Sequence, residues 1–191
     1  MSNILKNRLA LSTVVTTLII LVVSVLLAGV VTYFAINVTS TRVQEESLQL
    51  TKLHVWCPQD SSTHPEAAFL IINTGGRDVV INKITVRGQA ADWGNIHSGV
   101  TIKSVTSDFT YADLTSGTPS IDIGSGHVSL TAATGDVTLN SGKSMVVFVD
   151  SPDSITINDI GLTVGITVFT SQAMYYQEAN VEAYAPTSGS S

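Results

Sequence analysis

The hydrophobic pattern of the chain changes character twice. From Val14 to Ile36 almost every position is Val, Ile, Leu, Ala or Phe, without periodicity, and the surrounding stretch 9–41 holds no charge and no proline. Fifteen of these 23 side chains are Val, Leu, Ile or Phe. A helix of that length spans roughly 35 Å, against a hydrocarbon layer of about 30 Å. Each large apolar side chain gains about 1.5–3 kcal/mol on leaving water, so the run belongs in lipid or in a packed core. Beyond it, residues 42–52 carry good helix formers, no proline, and Arg42 and Glu46 at an i, i+4 spacing. The pattern therefore predicts one helix from about Leu11 to Lys52. Ser24 and Ala28 form a small-xxx-small pair on it.

After Lys52 the period falls to two. Leu53 to Cys57, Ala67 to Ile72, Val79 to Val86 and Met145 to Val149 read as strands, as do Leu162 to Thr170 and Met174 to Tyr184 around Ser171-Gln172-Ala173. Asn73-Thr74-Gly75-Gly76 supplies turn chemistry and predicts a hairpin between the second and third of these. Weaker strands are expected near 100–105, 109–111, 121–123, 127–131 and 137–139, with a loop over 88–99. The expectation is an α+β chain: a long hydrophobic helix followed by an all-β, sandwich-like head. The organisation expected is a leader over 1–10, the helix over 11–52, a head over 53–184 and a flexible tail over 185–191.

Charge narrows the functional classes. From Arg42 onward there are seven Lys or Arg against fifteen Asp or Glu, a net of −8. An acidic body argues against nucleic acid as a partner. Cys57 is the single cysteine, so no internal disulfide framework exists; it reads as a small buried side chain at a strand end. His54, His64, His97 and His127 lack metal-ligand spacing. Asp150, Asp153 and Asp159 read as turn and capping residues, because the ordered loop of a calcium site is missing. No catalytic, cofactor or metal residue is expected, and the chain reads as a non-enzyme. Asn37-Val38-Thr39 is the one N-x-Ser/Thr sequon, making Asn37 a possible glycosylation point.

Lys6 and Arg8 precede the apolar run, which places the N-terminus in the cytoplasm and the head outside. A cleaved secretory signal would be shorter, and a cut after Ala28 would put bulky Leu26 where a small residue is needed. A plain single-span anchor fits length and charge. A third reading rests on likeness: Arg8-Leu9-Ala10, then Leu11-Ser12-Thr13-Val14-Val15 and the unbroken apolar helix resemble the start of an archaeal type IV pilin or archaellin. Residues 67–88 and 142–183 resemble strands of such pilin heads. The resemblance implies cleavage between Ala10 and Leu11 by a prepilin peptidase. It also implies storage in the membrane and assembly by pilus machinery into an extracellular helical homopolymer for adhesion. Val14, Val15, Leu18, Ile19, Leu21, Val22, Val25, Leu26, Val30 and Phe34 would form the filament core. The alternatives are an archaellin, and a single-pass anchored β-sandwich that acts as a binding module.

Overall fold

A computed structural model describes residues 2–43, 45–59, 63–114 and 119–185, with helix side chains described over 12–40. The chain divides into two compact units, Met1–Gln44 and Glu45–Ser191.

The first unit is one helix, α1 (Ser2–Val43). Its segment Ser12–Ser40 is long and apolar enough to cross a membrane, and none of it is buried against protein. Five of its hydroxyl side chains are satisfied within the helix. Thr16, Ser24, Thr32 and Thr39 each donate their hydroxyl to the carbonyl four residues back, and Thr17 to the one three back, at 2.7–2.9 Å. Such back-bonding removes the cost of a free hydroxyl in an apolar medium.

The helix ends at Val43, short of the expected Lys52. Residues from Leu48 are extended, in β1 (Leu48–Pro58). Leu48 and Leu50 are buried in the head core. Helix propensity in 42–52 therefore yields to strand pairing with β2 (Glu66–Asn73), in the register Leu48↔Asn73 to Thr51↔Leu70. Lys52 takes a left-handed conformation (φ 53°), and a bulge between Thr51 and His54 shifts the register. Beyond it, Val55 and Cys57 face the core while His54 and Trp56 face outward.

The second unit is a curled mixed β-sheet, a half-barrel. The remaining strands are β3 (Val79–Val86), β4 (Gln89–Ala90), β5 (Ile96–Thr101), β6 (Ser120–Asp122), β7 (His127–Ser129), β8 (Thr131–Ala132), β9 (Val137–Leu139), β10 (Ser144–Asp150), β11 (Thr163–Thr170) and β12 (Met174–Tyr184). Among the described residues they pair in the order β4-β3-β11-β12-β1-β2-β10-β5-β8, with β9 also on β3 and β6–β7 as a separate ribbon. Apart from that ribbon, the described strands form one continuous sheet, which bears out an α+β chain with a β-rich domain and does not establish the expected sandwich. β1 and β12 run parallel, Val55↔Val181 to Pro58↔Tyr184. The late hairpin, β11 on β12, forms as its sequence predicts.

The early hairpin does not form. β2 pairs with β1 and β10, whereas β3 pairs with β11, β4 and β9. The turn that was to join them is bonded elsewhere. Thr74 and Gly75 donate their amides to the Ser47 carbonyl, and Gly76 donates to that of Glu45. A Cβ on Gly75 would sit 2.6 Å from the Glu45 oxygen, so glycine is required by close approach. Asn73 Nδ2 donates to the carbonyls of Arg77 and Leu139, carrying the chain across to the other half of the sheet. Elsewhere, the expected loop over 88–99 contains β4, a 3-10 turn (Trp93–Asn95) and the start of β5, and 109–111 is not a strand.

Two cores follow from two kinds of sequence pattern. Strands β2 and β10 are near-continuous apolar runs and are buried on both faces. Ala67, Phe69, Ile71, Met145, Val147 and Val149 enter the inner core, with Val164, Ile166 and Val168 of β11 opposite. Ala68, Leu70, Val146 and Phe148 point the other way, into an outer core with Trp56, Phe109, Leu114, Ile123, Val128 and Leu130. The described residues between β5 and β8, 102–114 and 119–130, thus cover the outer face over β1, β2 and β10. In contrast, β11 and β12 alternate, and their outward side chains are half-buried or exposed.

Candidate binding surface

The functional residues read from the sequence all lie on α1. Val14, Val15, Leu18, Ile19, Leu21, Val22, Val25, Leu26, Val30 and Phe34 are exposed along it, as surfaces meant for an apolar medium. The helix runs without a break through Ala10 and Leu11, whose side chains lie outside the described ones. Asn37 is on α1 and exposed. The tail beyond residue 185 lies outside the described residues. Cys57 is buried in β1, as its sequence context suggests. Asp159 is a capping residue: its Oδ2 accepts from the Thr156 amide and hydroxyl at 2.9 and 2.8 Å, and its Oδ1 accepts from Arg87 at 2.6 Å.

The head has chemistry of its own on the outer face of the sheet. The segment 105–114 is pinned there by five polar contacts around an apolar body. Glu66, 1% exposed, accepts from the amides of Ala112 and Leu114 at 2.9 and 3.0 Å. Burial raises its pKa in spite of those two bonds. Lys52 donates to the Ser107 carbonyl, and the Tyr111 hydroxyl donates to that of His64. His54 lies between two carboxylates, 3.1 Å from Glu182 on β12 and 3.0 Å from Asp108 on the covering segment. The bond to His54 lowers the Asp108 pKa. The His54 ring stacks on Trp56, parallel within 2° at 5.2 Å. His54 therefore marks the seam between the covered and uncovered parts of the face.

Beyond the seam, the outward residues are Thr163, Gly165, Thr167 and Phe169 on β11, and Met174, Tyr176, Glu178 and Asn180 on β12. They face one another as Thr163↔Asn180, Gly165↔Glu178, Thr167↔Tyr176 and Phe169↔Met174. Tyr176 lies diagonally over Gly165: a Cβ there would meet Cε2 of the ring at 2.3 Å. The glycine lets the ring rest directly on the sheet backbone. The ring's hydroxyl donates to Glu178 at 2.7 Å, and that bond raises the tyrosine pKa. Thus the ring is fixed at both ends while Tyr176 stays 59% exposed. Thr163 donates to the Asn180 carbonyl oxygen at 2.8 Å, which orients the amide NH2. Lys83 of β3 sits over the Phe169 ring, 4.2 Å from its centroid.

Sequence reasoning missed this surface. A signal was present: a lone glycine in the alternating strand around Gly165 marks a close approach to the backbone. The partner of that approach, Tyr176, depends on cross-strand register.

No family model matches the chain, and no curated protein matches it. Among solved structures, the apo PCuAC domain of PmoF2 is similar at 12% identity and a TM-score of 0.42, over 73% of this chain and 95% of that one. The copper-bound PCuAC domain from PmoF2 matches at 16% identity and 0.34, over 73% and 99%. The ligand-binding region of serine-glutamate repeat protein A of Enterococcus faecium matches at 13% and 0.25, over 74% and 99%.

These findings correct the function expected from the pilin likeness. No family match or relative points to a pilin or archaellin. The structure removes a supporting feature as well, since the helical extension expected through Lys52 is strand from Leu48. The filament-subunit reading is withdrawn, for the pilus and for the archaellum.

Proposed function

We propose that the chain is a single-span membrane protein that holds its β-domain outside the cytoplasm as a binding module. The observation that carries this reading is the division of the chain into an apolar helix exposed throughout Ser12–Ser40 and a separate compact β-rich unit. Lys6 and Arg8 lie in the ten residues before that span, against Arg42 alone in the ten after it. That asymmetry supports a cytoplasmic N-terminus. The acidic head, with its uncovered outer face, supports a role in contact rather than in a buried assembly.

Copper handling is not adopted. Among the described residues no group of three or more His, Cys, Asp or Glu is placed to hold a metal ion. Met145 is buried in the inner core, and both nitrogens of His54 already face carboxylates.

A membrane-impermeant amine reagent applied to intact cells tests the orientation. Lys83 and Lys103 are exposed on the head and should be labelled, with Lys6 labelled only after permeabilisation. Labelling of Lys6 alone in intact cells would overturn the proposal.

A further inference from the structure

We infer that the uncovered face of β11 and β12 is a platform for neutral pyranose oligosaccharides, centred on the Tyr176 ring. The inference rests on the binding-module reading above and adds a ligand class to its surface.

An exposed tyrosine on a strand normally swings between rotamers, and ordering it on a ligand lowers affinity. Tyr176 is ordered beforehand. Gly165 gives its inner face a seat on the backbone, and Glu178 holds its hydroxyl. Covering a strand glycine with an aromatic ring is a structural service, but it uses only the inner face of the ring. The outer face is left fixed, apolar and exposed. The C–H face of a pyranose complements such a ring, because the ring face is electron-rich and a sugar's axial hydrogens are weakly positive.

The surroundings supply the polar half of the site. Along β12 the outward positions repeat at about 7 Å of backbone, and the Glu178 carboxylate adjoins the ring, 2.7 Å from its hydroxyl. Glu178 presents a carboxylate acceptor and Asn180 an amide donor, the amide being oriented by Thr163. Planar acceptors and donors beside a ring match the adjacent hydroxyls of a pyranose. Thr167, directly across from Tyr176, adds a hydroxyl.

Charge decides which sugars fit. Glu178 and Glu182 are exposed on this face, whereas its cation, Lys83, is drawn onto Phe169 at the far end. Acidic sugars would meet carboxylates and no free guanidinium; arginine is absent from these outward positions. The platform therefore selects neutral over anionic chains.

The test uses the full chain in detergent or nanodiscs, titrated by calorimetry. The probes are a β-1,4-linked glucose tetrasaccharide, its N-acetylated counterpart, and a tetragalacturonate. Wild type should bind at least one neutral probe and not the anionic one. Tyr176→Leu keeps apolar cover over Gly165 but removes the ring. It should weaken binding roughly tenfold, equivalent to about 1.4 kcal/mol, with an unchanged melting curve. Tyr176→Phe should retain most of the affinity. Failure of both neutral probes to bind, tighter binding of the anionic probe, or equal affinity of Tyr176→Leu and wild type would each overturn the inference. The lysine-labelling result is separate: a correctly displayed head that binds neither neutral probe would remove the sugar assignment and leave the anchored module standing.

Discussion

Two carboxylates show how single residues set the pH response of the head. Glu66 is buried, and burial raises its pKa above the ordinary 4.5. The folded state therefore keeps that proton to higher pH than the unfolded chain does, and stability falls as pH rises above 4.5. Glu66→Gln removes this slope. The stability of the variant relative to wild type should rise between pH 4 and pH 7 in urea unfolding of the head; a constant difference would contradict the assignment. Asp159 behaves in the opposite way. Its pKa is lowered below 3.8, first by the Thr156 hydroxyl, then by the Thr156 amide and by Arg87. Its contribution is present above 3.8 and is lost as pH falls through the lowered value. Asp159→Asn should melt below wild type at pH 7, and the gap should close on acidification. Gly165 belongs to this scale too. Gly165→Ala would push a methyl into the Tyr176 ring, so the ring must lift. Near-ultraviolet circular dichroism of the tyrosine band should change while far-ultraviolet signal is kept.

At the scale of elements, the pattern of apolar positions was informative wherever burial was decided locally. The apolar run became α1, the two-sided runs AAFLII and MVVFV became strands buried on both faces, and the alternating late segments became a hairpin with one open face. What the pattern could not show was long-range pairing. Residues 48–52 carry helix-forming side chains, yet Leu48 and Leu50 are worth more in the core than in a solvated helix. Asn73-Thr74-Gly75-Gly76 has hairpin chemistry, yet its amides are taken by Ser47 and Glu45, and the chain crosses between sheet halves. The candidate surface was hidden for the same reason, because Tyr176 and Gly165 meet only through the β11–β12 register. The outer core gives a prediction at this scale. Phe148 is fully buried, stacked near Trp56 and edge-on to Phe109. Phe148→Ala should cost about 3–5 kcal/mol of head stability in chemical denaturation. A cost under about 1 kcal/mol would mean that the 105–114 cover is not part of the folded core.

At the scale of the whole molecule, the account joins an apolar helix to a self-sufficient β-domain. The helix is exposed throughout Ser12–Ser40, and the hydrocarbon interior of a membrane supplies what its apolar side chains need. The head buries its own inner and outer cores and presents acidic and aromatic residues to water. Division of labour of this kind supports anchoring at one end and contact at the other, without a requirement for polymerisation. The most direct test is alkaline extraction of washed membranes combined with mechanical shearing of intact cells. The account predicts that the chain stays in the membrane pellet through both treatments. Recovery of the chain in sheared fibres, or its release into the soluble fraction at alkaline pH, would contradict it.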